Sequence, residues 1–336
     1  MSKIKFAVYG LGPIGSLIVK HGLERKGLEL VAALDIDPSK IDRDVGEVVG
    51  LGRKIGILVE RDAGRILKET QPDVVLHATG SYLDKVYSQI LNAVEVGADV
   101  ISTCETLSYP YYRYPEITRK LDEEAKRQGS TILGTGINPG FLLDLLPAIM
   151  TTPCIRVERV TARRVLEASK RRESFRKKIG VGMNLSGFEE MIRRGEITGH
   201  VGYAESVCLL AEALNIKLDK VEERQDPVLA QKDIGLDGIV VEKNRVRGIH
   251  GYGIGYRDGK EIIRIEFEAL VGAEGEFEEI TIEGEPKICW RSSFGVPGDV
   301  ATVGVVLNYI PIVLEAEPGV VTINRLRPPR YSLLGD

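Results

Sequence analysis

The sequence predicts an α/β protein, in which a doubly wound parallel sheet precedes a second, α+β domain with a mainly antiparallel sheet. Short apolar runs alternate with helical patterns as far as residue 150, as in a parallel sheet covered by helices on both faces. Apolar and charged residues then alternate at Ile263–Glu268, which is typical of a strand with one solvated face. The apolar segment Pro297–Leu314 predicts a helix that returns to the first domain.

The length of the chain suits two domains. Its 336 residues correspond to two units at the usual size of roughly 150 residues per domain. We expect residues 1–150, joined by 296–336, to form the first domain and residues 151–295 to form the second. Pro311 predicts a kink or break near the end of the returning helix, because proline removes a helical hydrogen bond.

The elements of the first domain follow from its apolar pattern. The predicted strands are Ile4–Tyr9, Leu28–Leu34, Asp73–His77, Val100–Thr103 and Thr131–Leu133. The helices predicted between and after them are Pro13–Lys26, Ala63–Thr70, Leu83–Val96, Tyr114–Arg127 and Phe141–Met150. Glycine, proline and asparagine punctuate most of the junctions.

The elements of the second domain are less regular. Tyr252–Tyr256, Glu276–Glu283 and Lys287–Arg291 are predicted to be neighbouring antiparallel strands. The turn Arg257–Lys260 contains Asp-Gly, the pair that favours a two-residue hairpin turn.

A glycine-rich turn follows the first strand. Gly10, Gly12 and Gly15, with Pro13 and Ile14 between them, form the pattern G-x-G-x-x-G where a strand gives way to a helix. In a Rossmann-type fold the first glycine permits the turn, the second admits a pyrophosphate, and the third lets helix and strand pack closely. The helix N-terminus then faces the phosphates. A glycine-rich turn without a ligand is the alternative, but the complete context favours an NAD(P) site.

An acidic residue ends the second strand. Asp35 lies 20 positions after Gly15, where such a carboxylate accepts hydrogen bonds from the adenine ribose and repels a 2′-phosphate. Lys40 and Arg43 follow closely and are able to tolerate a 2′-phosphate. The sequence therefore predicts that NAD is preferred and that NADP is accepted.

Small residues follow the third predicted strand. Thr79, Gly80 and Ser81 leave room for ribose and nicotinamide at the carboxyl edge of the sheet. N-capping of the next helix is an equally good interpretation for Thr79 and Ser81. His77 is predicted to be a packed residue at the strand end.

A carboxylate follows the fourth predicted strand. Thr103 ends that strand and is assigned to the cofactor site, and Glu105 comes two residues later. Ligands of open parallel sheets bind at this edge, so Glu105 is a candidate for proton transfer. A solvated loop glutamate is the alternative.

A second glycine-rich loop, Gly134–Phe141, follows the fifth predicted strand. Asn138 is assigned to the cofactor. The N–H groups of Gly140 and Phe141 are expected at a helix N-terminus, where they can contact the nicotinamide amide or an anionic substrate. The alternative is a tight strand-to-helix turn, but the shared crevice favours function.

These segments together resemble a known family. The chain is similar to the 2,4-diaminopentanoate dehydrogenases and the native amine dehydrogenases, within the dihydrodipicolinate-reductase-like superfamily. The similarity is carried by Gly10–Pro38, Ala78–Ser81, Ser102–Glu105 and Gly134–Leu146, and more weakly by Ala168–Arg172 and Lys178–Gly182. It implies that Glu105 is the catalytic carboxylate and that an amine on a secondary carbon is oxidatively deaminated to a ketone and ammonia. It also implies a homodimer formed through the second domain.

One departure from the superfamily is informative. Dihydrodipicolinate reductases carry a His-His pair followed by Lys and Pro-Ser-Gly-Thr, whereas this chain reads Lys170-Arg171-Arg172-Glu173. The departure argues against the dihydrodipicolinate reaction. Reduction of another imine, carbonyl or amino acid, and nucleotide sensing without turnover, remain the alternative functions.

A basic run opens the second domain. Arg156–Lys178 contains ten basic and three acidic residues, which usually indicates a solvated face. The functional alternative is that Arg163 or Arg164 binds a substrate carboxylate, such as that of 2,4-diaminopentanoate. These neighbours point to opposite faces of a strand, so one of them faces inward, and the sequence leaves open which.

The composition excludes several classes of function. The net charge of −4 and the absence of interleaved aromatics in the basic run argue against nucleic acid. The four cysteines and the histidines lack metal-ligand spacing, so no metal is expected. No apolar run approaches the roughly 18 residues of a membrane span, and no signal region precedes the first strand. We expect a cytoplasmic protein with a small-molecule substrate.

Overall fold

The structure is a computed structural model that describes residues 3–331. The chain forms two compact units. The first holds the residues up to Phe141 and those from Pro297 onward, and the second holds Leu142–Val296. The boundary that the sequence predicted after residue 150 falls at the end of a helix of the second unit.

The strands are numbered along the chain: β1 Ile4–Tyr9, β2 Leu28–Leu34, β3 Val59–Glu60, β4 Val74–His77, β5 Asp99–Ser102, β6 Thr131–Gly134, β7 Arg156–Glu167, β8 Lys220–Leu229, β9 Ile234–Leu236, β10 Ile239–Val241, β11 Val246–Arg257, β12 Lys260–Leu270, β13 Phe277–Glu285, β14 Ile288–Ser292 and β15 Gly319–Val321. The helices are α1 Pro13–Leu23, α2 Val45–Val48, α3 Ala63–Thr70, α4 Leu83–Val94, α5 Pro115–Gln128, α6 Leu145–Met150, α7 Glu173–Lys178, α8 Leu185–Arg194, α9 Tyr203–Ala213 and α10 Gly298–Val313. Short 3₁₀ turns lie at Glu105–Leu107, Ala168–Lys170 and Ile323–Arg325.

The first unit contains the predicted parallel sheet. Within residues 3–331 its seven strands run in the order β15-β6-β5-β4-β1-β2-β3, and every pair is parallel. One apolar core joins the sheet to α3, α4 and α5 through side chains such as Leu67, Ile90 and Leu121. The α/β fold with a Rossmann-type sheet is therefore confirmed.

The returning segment completes the first unit. Helix α10 packs against α1, and the guanidinium of Arg25 donates to the carbonyl of Leu307 at 3.0 Å and to the side chain of Asn308 at 2.9 Å. Pro311 lies within α10, which ends two residues later. The short strand β15, which the sequence analysis missed, then adds to the edge of the sheet beside β6.

One predicted helix begins later than expected. Residues 141–144 form turns, and α6 begins at Leu145 rather than Phe141. The reason is Asp144, whose carboxylate accepts the N–H of Leu145 at 2.7 Å from a non-helical backbone conformation. The expectation that Gly140 and Phe141 open this helix is therefore wrong.

The second unit is built on a mixed sheet. Among the described residues its order is β14-β13-β7-β12-β11-β8, with one parallel pair, β12 and β7. The expectation that β11 and β13 are neighbours is wrong, because β7 and β12 lie between them. The hairpin at Asp258-Gly259 is confirmed, and both residues have positive φ, 52° and 70°, as a type I′ turn requires.

Glycines bring α9 close to this sheet. Gly251, Gly253 and Gly255 alternate along β11. A Cβ on the first two would lie 2.3 and 2.8 Å from Tyr203, and one on Gly255 would lie 3.0 Å from Val207. The opposite faces of β7, β12 and β13 carry charged pairs such as Arg159–Glu261 and Arg264–Glu266. The sheet thus has one apolar, helix-covered face and one charged face.

Candidate active site

The strands of the first sheet end at one level. In the parallel register Tyr9 lies beside both Leu34 and His77, His77 lies beside Ser102, and Ser102 lies beside Gly134. The loops that follow β1, β2, β4, β5 and β6 therefore begin side by side at the carboxyl edge. The first residue of each of four loops continues the ladder through its N–H, at 2.8–2.9 Å: Gly10, Ala78, Thr103 and Thr135.

The three fingerprint glycines differ in their surroundings. Gly10 has φ +97°, and a Cβ there would lie 2.7 Å from the carbonyl of Ala78. A Cβ on Gly15 would lie 1.7 Å from the carbonyl of Gly10. Apart from Gly12 and its two chain neighbours, no heavy atom of the described residues lies within 4 Å of a Cβ on Gly12. Gly10 and Gly15 are therefore needed by the turn itself, whereas the space beside Gly12 is open.

The carboxylate of Asp35 is held from three directions. Its Oδ2 accepts the N–H of Leu11 at 2.8 Å and the ammonium of Lys40 at 2.9 Å, and its Oδ1 accepts the N–H of Asp37 at 2.9 Å. Burial acts to raise the pKa of Asp35, but these hydrogen bonds outweigh it and hold that pKa below its usual value. The carboxylate is thus ionised and attached to the glycine loop.

Lys40 is the cation of this site. Its ammonium also donates to the carbonyl of Leu11 at 3.2 Å. Arg43 instead donates to the carbonyl of Ser39 at 3.2 Å. Of the two basic residues that the sequence suggested for a 2′-phosphate, Lys40 is the one that contacts Asp35.

The loop after β4 does not serve as a helix cap. Helix α4 begins after Tyr82, and the N–H of Leu83 donates to the hydroxyl of Thr106 at 2.9 Å. Neither Thr79 nor Ser81 supplies that acceptor. Thr79 is exposed at the edge of the sheet. The capping interpretation is replaced by one in which the loop after β5 caps α4.

His77 is buried at the end of β4. Its Nδ1 lies 2.7 Å from the hydroxyl oxygen of Ser102, and its Nε2 lies 2.9 Å from Oε1 of Gln89 and 2.8 Å from the hydroxyl of Thr79. Burial lowers the pKa of His77 to about 4, with the hydrogen bond to Gln89 opposing it. The imidazole is therefore neutral at physiological pH and packed, as the sequence predicted.

Glu105 opens a 3₁₀ turn directly after β5. The N–H and hydroxyl of Ser108 both donate to its carbonyl, at 3.2 and 2.6 Å. The N–H of Thr106 donates to the carbonyl of Ser81 at 3.1 Å. Glu105 is half-buried between two buried neighbours, Cys104 and Thr106. Its turn is therefore attached to the loop after β4.

The neighbouring thiol, that of Cys104, is buried. Burial, and secondly the negative charge of Glu105, raise the pKa of Cys104 to about 12. The thiol stays protonated at neutral pH and is a poor nucleophile in that form. Glu105 is left as the proton-transfer candidate of this turn.

The loop after β6 packs against the Glu105 turn. A Cβ on Gly134 would lie 2.3 Å from the carbonyl carbon of Leu107 and 2.5 Å from the nitrogen of Ser108. Gly140 has φ +129°, and a Cβ there would lie 2.4 Å from the nitrogen of Gly136. The loop is therefore folded tightly on itself and on the turn, and it carries Asn138 and Gly140 at the same edge of the sheet.

The two arginines of the second unit have different environments. Arg164 is buried, with its Nε 3.4 Å from Glu278 Oε1 and its Nη2 2.6 Å from the carbonyl of Val296. Burial lowers the pKa of Arg164 to about 10. Arg163 is partly exposed, 3.6 Å from Glu266 and above the ring of Phe277. Arg163 therefore keeps the accessible guanidinium.

Much of the basic run is neutralised within the second unit. Lys170 and Arg171 both contact Glu276, at 3.1 and 2.6 Å. Glu173 pairs with Lys177 at 2.6 Å. Carboxylates of the second unit therefore offset part of the charge of this run.

Neither a metal cluster nor a membrane-spanning helix is found within residues 3–331. Across those residues, no three or more His, Cys, Asp or Glu side chains are grouped so as to hold a metal ion. In the same part of the chain, no helix combines the length and apolar character that a membrane span needs.

Comparison with known proteins gives consistent matches. Residues 141–336 match the family model of the 2,4-diaminopentanoate dehydrogenase C-terminal domain, and residues 4–103 match that of the dihydrodipicolinate reductase N-terminus. The chain is 30% identical to a 2,4-diaminopentanoate dehydrogenase of Acetoanaerobium sticklandii, over 100% of this chain and 96% of that protein.

Amine dehydrogenases are also similar to the chain. The amine dehydrogenase of Streptomyces virginiae is 25% identical over 94% of each protein. The structure of the amine dehydrogenase from Mycobacterium smegmatis superposes with a TM-score of 0.88 at 27% identity, covering 99% of this chain and 98% of that one.

The different surroundings of Gly12 and Gly15 are testable with a matched pair of alanine variants. Gly12→Ala adds a methyl group where the described chain leaves open space, so the variant should keep its melting temperature within about 2 °C of the wild-type value. It should bind NAD at least about tenfold more weakly, because the methyl group occupies the space through which the pyrophosphate approaches the backbone. Gly15→Ala, which meets the carbonyl of Gly10, should instead lower the melting temperature. Calorimetric titration and thermal unfolding measure both. Unchanged NAD affinity in Gly12→Ala contradicts the assignment.

Proposed function

Because the chain belongs to the 2,4-diaminopentanoate dehydrogenase family, we propose that it catalyses NAD(P)-dependent oxidative deamination of an amine on a secondary carbon, giving a ketone and ammonia. The observation that carries the proposal is the position of Glu105. Its turn is attached to the loop after β4 and to the last residue of β6, at the edge that bears the glycine fingerprint. The reverse reaction is reductive amination.

The residues at this edge fit a dinucleotide. The open space beside Gly12 suits a pyrophosphate, which Gly10, Pro13, Ile14 and Gly15 would surround through the start of α1. Further cofactor contacts are proposed at the same edge of the sheet, from Asp35, Thr79, Gly80, Ser81, Thr103 and Asn138. When bound, the nicotinamide accepts a hydride from the carbon that carries the amine.

Glu105 moves protons in two stages. Its carboxylate first takes a proton from the substrate ammonium, because only a free nitrogen lone pair assists departure of the hydride. Departure of the hydride leaves an iminium ion, and the carboxylate passes its proton to solvent. Water then attacks the iminium carbon while the carboxylate accepts a proton from that water. The carboxylate returns this proton to the nitrogen, which leaves as ammonia. Overall the amine and water become ketone and ammonia as two electrons leave with the hydride. A positioned general base typically supplies about 10²- to 10⁴-fold in rate.

The substrate is proposed to be 2,4-diaminopentanoate or a similar amine. Gly140 and Phe141 are proposed to contact it from the loop after β6. The substrate carboxylate is assigned to Arg163 or Arg164. Both guanidinium groups lie near a glutamate, but that of Arg163 is partly exposed and that of Arg164 is buried, which favours Arg163. A planar guanidinium binds a carboxylate through two parallel hydrogen bonds.

The oligomeric state and cellular location of the protein are also proposed. We propose a homodimer formed through the second unit, as the family resemblance implies. A cytoplasmic location is supported by the four cysteines, Cys104, Cys154, Cys208 and Cys289, which are all free thiols, as is usual in a reducing compartment.

The role of Glu105 is testable by substitution. Glu105→Ala should lose about 10²- to 10⁴-fold in kcat because the general base is gone, with NAD affinity unchanged within about threefold. Initial rates of reduced-cofactor formation and calorimetric titration measure the two quantities. Glu116→Ala, on the exposed first turn of α5, is the matched control and should be fully active. A fully active Glu105→Ala protein removes Glu105 from the mechanism.

Substrate class is testable with a panel of amines. The wild-type protein should reduce NAD with 2,4-diaminopentanoate and turn over simple alkyl amines more slowly, because these lack the carboxylate. Absorbance of the reduced cofactor follows each reaction. If cofactor binds but no amine is oxidised, a different imine, carbonyl or amino-acid substrate, or a sensing role, replaces the proposal.

Cofactor choice is testable at Lys40. We propose that NAD is preferred and that NADP is accepted, because the ammonium of Lys40 offsets the charge of Asp35. Lys40→Ala should raise KM for NADP by about tenfold and change KM for NAD by no more than about threefold, since a 2′-phosphate needs a cation. Lys54→Ala, on the exposed loop before β3, is the control. A strong wild-type preference for NADP would refute the argument from Asp35.

A further inference from the structure

A polar network, buried at its centre, joins the loops after β4 and β5. At its centre is His77, whose two ring nitrogens face different partners. On one side Nδ1 lies 2.7 Å from the hydroxyl oxygen of Ser102, which accepts the N–H of Cys104 at 3.1 Å. On the other side Nε2 faces Thr79 and Gln89, at 2.8 and 2.9 Å.

The hydrogen atoms of the network can be assigned. Oε1 of Gln89 accepts the hydroxyl of Thr79 at 2.5 Å and faces Nε2 of His77, so Nε2 carries the proton. Nδ1 then accepts from the hydroxyl of Ser102, whose oxygen is free to accept the N–H of Cys104. One neutral tautomer satisfies every member, as a buried polar group requires.

The network ends at two functional loops. Cys104 directly precedes Glu105, and Thr79 begins the segment assigned to the cofactor. A strand-end residue needed only to fill space would be apolar, because burying an imidazole costs free energy unless both nitrogens are hydrogen-bonded. Here both nitrogens are bonded, and each bond leads toward a different loop.

We propose that His77 is a positioning residue, which sets the Glu105 turn through Ser102 and the cofactor loop through Thr79 and Gln89. The inference rests on the proposed function, because its kinetic consequences are read through proton transfer at Glu105. His77 itself exchanges no proton in the reaction. The contact of Nδ1 with Ser102 affects kcat, and the contacts of Nε2 with Thr79 and Gln89 affect cofactor affinity.

Two substitutions separate the sides of the ring. The amide oxygen of His77→Asn takes the place of Nδ1 and keeps the bond from Ser102, while the contacts of Nε2 are lost. The amide nitrogen of His77→Gln takes the place of Nε2 and keeps the bond to Gln89, while the contact with Ser102 is lost. We expect His77→Asn to raise the Kd for NAD about five- to tenfold with kcat nearly intact, and His77→Gln to lower kcat about five- to tenfold with the Kd nearly intact.

Substitutions of the partners of His77 test the same contacts if the histidine variants fail to fold. Ser102→Ala should reproduce His77→Gln, and Gln89→Met should reproduce His77→Asn. The control pair is His21→Asn and His21→Gln, at the exposed end of α1, and neither should alter kcat or Kd. Equal losses in kcat and affinity across the four network variants, or no losses, would overturn the proposal and leave His77 a packing residue.

Hydrogen exchange separates this inference from the proposed reaction. The amides of residues 102–108 should exchange faster in His77→Gln and Ser102→Ala, because the N–H of Cys104 loses its fixed acceptor, and not in His77→Asn or Gln89→Met. This readout needs no turnover. If no amine is oxidised but the exchange rates and NAD affinities differ between the variants as expected, the positioning role of His77 is supported and the proposed deamination is wrong. If amines are oxidised but the exchange rates are the same in all the variants, the positioning role is wrong and the proposed deamination is supported.

Discussion

The common level at which β1, β4, β5 and β6 end is the constraint on which the candidate site depends. Parallel pairing places Tyr9, His77, Ser102 and Gly134 side by side, so the loops that follow them start together. A slip of one residue in any strand would move its loop by about 3.3 Å and turn its side chains to the other face. Glu105 is positioned by this backbone register and by the bond between Thr106 and Ser81.

Close backbone approach is the second requirement of the site. Gly15 and Gly134 each lie where a Cβ would overlap another segment, at 1.7 and 2.3 Å. They bring α1 onto the first turn and β6 onto the Glu105 turn. Gly12 differs because no atom of the described residues fills the space beside it. The glycines of this edge thus divide into those whose Cβ the fold excludes and one, Gly12, that we assign to the cofactor.

The charges of the second unit show why a basic run does not by itself define a binding surface. Arg164 is buried, and a buried charge is tolerated only when it is paired and hydrogen-bonded. Its partner Glu278 comes from β13, and the partner of Arg171 is Glu276. These carboxylates lie more than 100 residues further along the chain. Sheet pairing between β7 and β13 decides the matching, which local sequence patterns do not encode.

The sequence by itself determined the parallel sheet, the glycine fingerprint, Asp35 and the location of Glu105 at a strand end. These features depend on periodicity and on residue spacing within one strand–turn–helix unit, and such local signals are readable. Only the tertiary structure decided that Thr106 rather than Thr79 or Ser81 caps α4, that Lys40 binds Asp35, that α6 begins at Leu145, and that His77 links two loops. Each of these outcomes depends on which backbone and side-chain groups the folded sheet brings within hydrogen-bonding distance, and that proximity exists only after the strands have paired.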